Sequence, residues 1–383
     1  MKTLGDCKVL VVDDVKGNIN LLVEALKNDY KLGFALNGEA ALKYVRAQSP
    51  DIILLDIMMP GLDGYEVCRR LKADPATKEI PVLFITSMDE VENKAAGFEA
   101  GAVDYITKPF EIVEVKARVK THLSLKLAMA ALEKQRDRMQ QSLDLAMEVQ
   151  QSLLPKRAPR VKGLDVAGTS RYCDETGGDY YDYLDHPDPG RIGLVVGDVA
   201  EHGAPSALLM ASARALVRQS ASTSRESAVI LTEINRQICR DVEDSGRFVT
   251  LFLADVNVPK KIISWASAGH DPALVYDRKR DAFLELGGSG PALGIMDGFV
   301  YEGRQADLAP GQIVVIGTDG IWECHHPEGR MFGKEALKDV IRGNRDLTAP
   351  GIVAAVMDAV GAFRRPLEFE DDVTLVVAKV EDT

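Results

Sequence analysis

The sequence of 383 residues predicts a multidomain protein with a doubly wound (βα)5 α/β domain, a helical coiled-coil linker and an α+β domain of the αββα-sandwich type. Three observations support this fold class. Short apolar runs alternate with helical periodicity in the first third of the chain, and a segment without glycine follows. Beyond it, strand-like runs cluster and helical segments are segregated from them. We expect domain boundaries at 1–121, 122–155 and 156–383.

Composition argues against several classes of function. The net charge of −12 argues against nucleic-acid and anionic-membrane partners, because both attract basic surfaces. The five cysteines never occur in C-x-x-C spacing, so we expect no disulfide framework or structural zinc site. No apolar run approaches the ~18 residues that a membrane-spanning helix needs. We therefore expect a cytoplasmic protein that binds neither nucleic acid nor membrane.

The first domain contains five strand-like runs, several of them apolar enough to be buried on both faces. These runs are Lys8–Val12, Leu32–Leu36, Asp51–Leu55, Pro81–Thr86 and Val103–Ile106. Stretches with helical spacing separate most of them, which predicts a parallel sheet flanked by helices. Ligands of such sheets bind at the carboxyl ends of the strands.

Polar residues stand at the ends of four of these strands, and they are Asp13, Asp14, Asp56, Thr86 and Lys108. Because parallel strands end at one edge of the sheet, we expect the five side chains to lie close together. Three carboxylates without histidine or cysteine predict a hard-oxygen site suited to Mg²⁺. The hydroxyl and the ammonium are suited to phosphoryl oxygens, so Asp56 is the candidate nucleophile that forms an aspartyl phosphate.

The motifs around these residues closely resemble the response-regulator receiver family. They are VVDD at the first strand, LLDIMMPGLDG around Asp56, and YITKP at 105–109. The resemblance covers the whole first domain. It implies Mg²⁺ held by Asp14, Asp56 and the carbonyl of Met58, with Asp13 assisting through a water molecule.

The same resemblance assigns the remaining receiver residues. Thr86 and Lys108 would contact the phosphoryl group, and Tyr105 would be the aromatic switch that reorients on phosphorylation. A cis peptide bond before the proline that matches Pro109 is usual in this family. The phosphoryl group would come from a histidine kinase or a phosphotransfer protein.

The segment 110–154 is predicted to be one long helix that ends before Pro155. Apolar or small residues recur at seven-residue intervals, at Leu125, Leu132, Met139, Ala146 and Leu153. This spacing predicts one edge of a coiled-coil seam, and Arg136 and Gln150 interrupt the other edge. We expect a homodimer through this linker; the alternative is one amphipathic helix packed on its own chain.

The C-terminal domain shows a different pattern. Strand-like runs occur at 192–196, 249–256, 262–266, 273–276, 313–316 and 373–378, and helical segments near 204–221, 225–243, 333–342 and 350–362. Turn residues and hairpin-like spacings join the strands. This pattern predicts a mainly antiparallel α+β sandwich.

Aspartates beside glycine or threonine recur near the strand ends of this domain, at Asp179, Asp198, Asp319 and the pair Asp371–Asp372. Glycine permits a close backbone approach, which favours a tight cage of oxygen ligands. Without histidine or cysteine at ligand spacing, Mg²⁺ or Mn²⁺ is favoured over Zn²⁺. Several converging carboxylates favour two metal ions, which could activate water for attack on a phosphate ester.

The segments GGDYYD, GDVAEHGAPSALLM, ASAGHDPALVY, GPALG, GTDGIWE and EDDVTLVV resemble the bacterial stress-response and sporulation branch of the metal-dependent (PPM) serine/threonine phosphatases. The resemblance implies two Mn²⁺ or Mg²⁺ ions with these ligands: Asp179, Asp198, the carbonyl of Val199, Asp319 and Asp371. Asp371 is preferred to Asp372 because the family's ligand is the first residue of an Asp-(Asn/Asp)-x-Thr pattern.

One position departs from that family. Glu201 stands where glycine is usual, and we expect its side chain to lie in solvent. His202 and His270 recur in the family, but we do not expect them to be ligands. We interpret His325–His326, beside Cys324, as surface residues rather than a zinc site.

Together the resemblances imply a response regulator whose receiver controls a metal-dependent protein serine/threonine phosphatase. The expected substrate is a phosphorylated anti-sigma-factor antagonist in a partner-switching stress pathway. The alternative is a weak or inactive phosphatase-like adaptor that binds a sigma factor or another regulatory protein. Adaptors of this kind tend to lose the metal-binding aspartates, whereas this chain retains all four.

Overall fold

The structure is a computed structural model that describes residues 2–87, 94–201, 203–224, 226–243 and 245–381. The chain forms two compact units, Met1–Met139 and Gln140–Thr383. In the described part of the chain, no helix combines the length and the apolar character that crossing a bilayer would require.

The first unit is built on a five-stranded parallel sheet with the strand order β2-β1-β3-β4-β5. The strands are β1 (Lys8–Val12), β2 (Lys31–Ala35), β3 (Ile52–Asp56), β4 (Val82–Ser87) and β5 (Asp104–Lys108). The central strands β1, β3 and β4 are almost entirely buried, as their continuous apolar runs predict. The edge strand β2 alternates between exposed and buried residues.

Helices cover both faces of this sheet, which confirms the predicted parallel α/β domain. They are α1 (Lys16–Leu26), α2 (Gly38–Gln48), α3 (Gly64–Ala73), α4 (Lys94–Glu99) and the long α5 (Ile112–Leu153). The side chains of Asn37 and Asp63 cap α2 and α3 by accepting backbone N–H groups. One apolar cluster contains α2 and α3, and a second contains α1 and the start of α5.

Helix α5 confirms the predicted long helix. Val115, Val119 and Leu123 are buried in the core of the first unit. Further along, the predicted seam residues Leu132 and Met139 are 67% and 65% exposed. The pairing of this helix in a coiled coil stays a prediction.

The second unit contains two antiparallel five-stranded sheets with the orders β13-β10-β9-β8-β7 and β12-β11-β14-β15-β6. The first consists of β7 (Tyr180–Asp185), β8 (Arg191–Val199), β9 (Val249–Asn257), β10 (Ile262–Ala268) and β13 (Arg304–Asp307). The second consists of β6 (Leu164–Arg171), β11 (Ala273–Asp277), β12 (Ala282–Leu286), β14 (Ile313–Gly317) and β15 (Val373–Val380).

Two helix pairs complete this unit. They are α6 (Ala204–Thr223) with α7 (Ser227–Val242), and α8 (Gly333–Gly343) with α9 (Ala349–Arg364). One apolar cluster combines side chains of both sheets. Two further clusters join the first sheet to α6 and α7 and the second sheet to α8 and α9. This layering agrees with the predicted αββα sandwich.

Candidate functional sites

The carboxyl edge of the parallel sheet carries a cluster of three carboxylates. Asp13 and Asp14 follow β1, and Asp56 ends β3. One carboxylate oxygen from each lies within 4.8 Å of the others. Asp13 and Asp56 are buried, whereas Asp14 is exposed, so the cluster is accessible from solvent. Oxygen donors at this spacing fit one hard cation such as Mg²⁺.

Lys108, at the end of β5, holds two of these carboxylates. Its Nζ lies 3.0 Å from Oδ2 of Asp13 and 2.9 Å from Oδ2 of Asp56. Burial raises the pKa of Asp56, Lys108 opposes that shift, and the charges of Asp13 and Asp14 add to it. Burial alone would lower the pKa of Lys108, but its hydrogen bonds to Asp56 and Asp13 raise it overall. The ammonium therefore stays charged beside the candidate phosphoryl acceptor.

The other predicted receiver residues lie around this edge. Thr86 is buried at the end of β4, and Tyr105 is half-buried on β5 with the Arg118 guanidinium carbon 5.8 Å from its ring centroid. The side chain of Met58 is exposed. The Lys108–Pro109 bond is cis, as the family resemblance implied.

Sequence reasoning missed Asn18, in the first turn of α1. Its Nδ2 lies 3.1 Å and 2.9 Å from the two carboxylate oxygens of Asp13. The backbone N–H of Val15 also donates to Oδ1 of Asp13, at 2.8 Å. Asn18 therefore fixes the orientation of Asp13, and its place two residues into the helix after VVDD was the available signal.

The four C-terminal aspartates lie at one end of the sandwich. Asp179 directly precedes β7, and Asp198 lies near the end of β8, which pairs antiparallel with β7. In the other sheet, Asp319 follows β14 and Asp371 precedes β15, its antiparallel neighbour. The structure thus brings together the residues that sequence reasoning selected from four separate motifs.

Thr318 joins the two sheets at this end, and sequence reasoning gave it no role. Its hydroxyl donates to Oδ2 of Asp179 at 2.7 Å and accepts the backbone N–H of Thr374 at 3.0 Å. Thr318 is buried, and in the chain it lies between the end of β14 and Asp319. The threonine of the TDG motif therefore positions the carboxylate of another motif.

The aspartates disfavour one another's ionisation. Burial raises the pKa of Asp198 to about 7, and the charges of Asp319, Asp371 and Asp372 contribute. Burial, followed by the charges of Asp198 and Asp372, raises the pKa of Asp179. Burial and the charge of Asp371 raise that of Asp319. A bound cation would relieve this repulsion, and the all-oxygen donor set fits Mg²⁺ or Mn²⁺.

The three carboxylates at the edge of the parallel sheet and the four C-terminal aspartates differ in compactness. Asp13, Asp14 and Asp56 place one carboxylate oxygen each within 4.8 Å of the others. Within the described ranges, no other group of three or more carboxylates, thiols or imidazoles is as compact. The four C-terminal aspartates do not meet that spacing. The two groups therefore differ in how closely their carboxylate oxygens approach one another.

Asp372 has a structural role that explains why its neighbour is the better ligand candidate. The Asp372 carboxylate is buried and accepts backbone N–H groups of Cys173 at 2.9 Å, Gly178 at 2.7 Å and Asp179 at 3.3 Å. It therefore holds the loop that carries Asp179. Asp371 is exposed at the end of the sandwich, which supports the preference for it.

Two further contacts shape the loop before β7. A Cβ at Gly178 would lie 2.7 Å from the carbonyl oxygen of Val199, so only glycine allows this approach. The side chain of Gln150 is buried in the last turn of α5. It donates to the carbonyl of Gly177 at 2.5 Å and accepts the N–H of Gly177 at 3.2 Å. These two hydrogen bonds were not predicted, because the heptad spacing placed Gln150 on the coiled-coil seam.

Glu201 lies three residues after Asp198 in a left-handed conformation, with φ 68°. Glycine adopts this conformation without strain, which explains why glycine is usual there. The Glu201 side chain is 65% exposed and forms an ion pair with Arg247 at 3.0 Å. It therefore extends towards solvent, in agreement with expectation, and has a specific partner.

The histidines fall into two groups. His270 is buried, its Nδ1 lies 2.9 Å from Oγ1 of Thr250, and its Nε2 lies 3.2 Å from the carbonyl oxygen of Gly317. Burial lowers the pKa of His270 to about 4, so the imidazole is neutral. His325 is partly exposed and pairs with Glu370 at 3.1 Å. His202 lies outside the described residues.

Comparison with known protein families gives two matches. Residues 9–120 match the response regulator receiver domain. Residues 188–381 match the stage II sporulation protein E (SpoIIE) family, which is half of the chain. The chain belongs to the SpoIIE family. It combines a SpoIIE-family domain with an N-terminal receiver, as the sequence motifs predicted.

Curated relatives match each part. The phosphoserine phosphatase RsbU of Bacillus subtilis is 29% identical over 237 residues, which are 62% of this chain and 69% of RsbU. The response regulator PleD of Caulobacter vibrioides is 44% identical over 126 residues. That match covers 33% of this chain and 28% of PleD, so the chain spans less than a third of that relative.

Solved structures share the fold of the SpoIIE-family domain. The SiaA-PP2C domain of Pseudomonas aeruginosa aligns with a TM-score of 0.58 at 24% identity, covering 64% of this chain and 98% of that one. The RsbU and RsbW domains of Rv1364c from Mycobacterium tuberculosis align with a TM-score of 0.50 at 26% identity, covering 59% and 62%.

Proposed function

We propose that this protein is a metal-dependent protein serine/threonine phosphatase whose activity is controlled by its receiver domain. One observation carries the proposal: Asp179, Asp198, Asp319 and Asp371, from four separate motifs, converge at one end of the sandwich. A degenerate binding domain has no need to keep these four carboxylates together, because their mutual repulsion and the burial of Asp179 disfavour folding unless a cation offsets them.

The proposed ligands are Asp179, Asp198, Asp319 and Asp371, with the carbonyl of Val199 beside the Asp179 loop. When bound, two Mn²⁺ or Mg²⁺ ions supply Lewis acidity that polarises a phosphate ester and acidifies water. The protein contributes the geometry. Thr318 orients Asp179, and Asp372 holds the loop backbone next to it.

In the receiver, Asp56 is proposed to accept a phosphoryl group from a histidine kinase or phosphotransfer protein. Mg²⁺ would be held by Asp14, Asp56 and the Met58 carbonyl, with Asp13 assisting. The position of Lys108 between Asp13 and Asp56 supports a role in binding the phosphoryl oxygens. Thr86 and Tyr105 are proposed as its hydroxyl partner and aromatic switch.

The proposed substrate is a phosphorylated anti-sigma-factor antagonist. The relative RsbU, named a phosphoserine phosphatase, supports phosphoserine as the substrate class. We further propose a homodimer through linker residues 122–155, between domains at 1–121 and 156–383. Exposed apolar side chains along α5, at Met129, Leu132, Met139, Leu145 and Val149, support this assembly.

Phosphate release from a phosphoserine peptide tests the function directly. The full-length chain should release inorganic phosphate when Mn²⁺ is added, and chelation of the cation should stop the reaction. A protein that binds Mn²⁺ but releases no phosphate from phosphoserine or phosphothreonine peptides would contradict the proposal. That outcome would favour a phosphatase-like adaptor.

A further inference from the structure

An ion pair borders the loop that carries the candidate ligand Asp198. Nε and Nη2 of Arg247 lie 3.1 Å and 3.0 Å from the same carboxylate oxygen, Oε2 of Glu201. The backbone N–H of Ala200 donates to the carbonyl of Phe248 at 3.0 Å. Arg247 and Glu201 are therefore held next to each other by a backbone contact between their own segments.

Glu201 occupies a conformation that side chains other than glycine seldom adopt, with φ 68°. Backbone strain of this kind is concentrated at functional sites, where a side chain is retained despite its conformational cost. In this loop the strained residue is Glu201, and its carboxylate is paired with the guanidinium of Arg247. The side chains of Glu201 and Arg247 are 65% and 30% exposed, so water and solutes reach the pair.

Such a pair exchanges partners easily. An exposed ion pair contributes little stability, because water solvates both charges well. A phosphoryl dianion offers a guanidinium more acceptor oxygens and more charge than a carboxylate does, and arginine binds phosphate through parallel hydrogen bonds. The carboxylate of Glu201 therefore occupies a position that a phosphoryl group can take over.

We propose that Arg247 binds the phosphoryl group of the substrate and that Glu201 is the internal occupant which that group displaces. This inference rests on the proposed phosphatase function and identifies a residue that recognises the substrate. The end of the sandwich is otherwise rich in carboxylates, including Asp271 and Asp372. A cation at its border would offset their repulsion of a dianionic ester.

Lys334 is the competing cation. It forms an ion pair with Asp271, and its Nζ lies 4.7 Å from the ring centroid of Trp322. An ammonium held by a carboxylate and an aromatic face lacks the planar fork of a guanidinium. We therefore assign the phosphoryl contact to Arg247.

Calorimetric titration of the Mg²⁺-loaded full chain with inorganic phosphate tests the assignment without relying on turnover. Arg247→Ala should weaken phosphate binding by at least about 10-fold, since hydrogen bonds to a charged group are lost. Glu201→Gln should strengthen it by about 2- to 5-fold, because an exposed competing ion is removed. Arg278→Ala is the matched control and should change nothing. Arg278 forms a comparable ion pair with Asp346 at 2.8 Å, just beyond the far end of β11.

Unchanged phosphate affinity in Arg247→Ala would overturn the proposal, and so would a loss of phosphate affinity in Lys334→Ala that Arg247→Ala does not show. With a phosphoserine peptide, Arg247→Ala should raise KM by about 10-fold and leave kcat within about 3-fold. An altered Mg²⁺ affinity in Glu201→Gln would instead place Glu201 at the metal site and also overturn it. If the wild type hydrolyses no phosphopeptide, the phosphatase function fails, while the phosphate titration still decides the role of Arg247.

Discussion

Gln150 and Gly177 exchange two hydrogen bonds, at 2.5 Å and 3.2 Å, in the buried interior of the SpoIIE-family domain. Gln150 lies in the last turn of α5, and Gly177 lies two residues before Asp179. The helix that leaves the receiver core therefore ends on the loop of a candidate metal ligand. We expect a change in the rotation or position of this helix to reach Asp179 through these two hydrogen bonds.

Replacing Gln150 should reduce phosphatase activity. Gln150→Ala removes both hydrogen bonds and leaves buried backbone groups of Gly177 unsatisfied, so we expect a loss on the order of 10-fold in kcat. The exposed neighbour Gln151 provides the control, since Gln151→Ala should leave kcat unchanged. Equal kcat in the two variants would show that the hydrogen bonds of Gln150 do not influence catalysis.

Replacing Asp198 or Asp319 with asparagine should abolish hydrolysis and preserve the fold, because each change removes one anionic ligand from a shared cage. The pKa of Asp198 is raised from 3.8 to about 7, so the cation-free protein loses stability as the pH rises from about 4 to 7, and the full loss is present at pH 8. At pH 8 without metal, the midpoint of unfolding of Asp198→Asn should therefore be at least as high as that of the wild type. Asp297→Asn, at an exposed position, is the control. Near wild-type hydrolysis in both ligand variants would refute the metal assignment.

Glu201→Gly should change kcat/KM by less than about 10-fold, or about 1.4 kcal/mol in barrier. Glycine adopts φ 68° readily, and the lost ion pair with Arg247 is exposed. Steady-state kinetics with a phosphoserine peptide measure the effect. A gain far above that limit would mean that the native enzyme is nearly silent, and would favour the adaptor alternative.

His270 should make the SpoIIE-family domain less stable in mild acid. Its pKa is about 4 in the folded state, against the ordinary value of 6.5. A lowered pKa contributes stability above pH 6.5 that is lost as the pH falls towards 4. Between pH 7 and pH 5 we expect a loss of about 2 kcal/mol in the free energy of unfolding.

Urea unfolding at pH 7 and pH 5 measures this difference. His270→Gln should flatten the pH dependence, whereas His325→Gln, at a partly exposed position, should keep it. The same pH dependence in the wild type and in His270→Gln would show that His270 is not its source.

The sequence predicted those parts of the fold that depend on local apolar patterns. The buried strands β1, β3 and β4 are continuous apolar runs, so their burial on both faces was readable. Strands β12 and β13 were missed because they carry few buried side chains. Strand β7 was missed because it contains a charged residue at a buried position. Asp182 lies inside the domain, where it pairs with Arg218, so the segment does not look like an apolar run.

The candidate ligands were predictable because each carboxylate stands in a motif of its own. Their supporting contacts were not, because they join residues far apart in the chain. Asp372 binds the N–H of Gly178, 194 residues away, and Thr318 binds Asp179, 139 residues away. The contact of Gln150 was not predictable either, because a polar residue in a heptad pattern indicates only an interruption of the coiled-coil seam.

We propose that phosphorylation of Asp56 changes the activity of the C-terminal domain. Helix α5 includes Val115, Val119 and Leu123 in the receiver core and ends beyond Gln150. A signal needs an element with two arrangements, and a helix with an imperfect seam can provide them. We expect activation, because an ordered α5 would fix Gln150 against the Asp179 loop.

The decisive measurement is the specific activity of four samples with Mn²⁺ and one phosphoserine peptide. They are the intact protein with and without a small-molecule phosphodonor, Asp56→Ala with the phosphodonor, and residues 156–383 alone. We predict that the phosphodonor raises the activity of the intact protein only when Asp56 is present, and that the fragment, which lacks Gln150, is less active than the phosphorylated protein. Equal specific activity in all four samples would show that phosphorylation of Asp56 does not control the C-terminal domain.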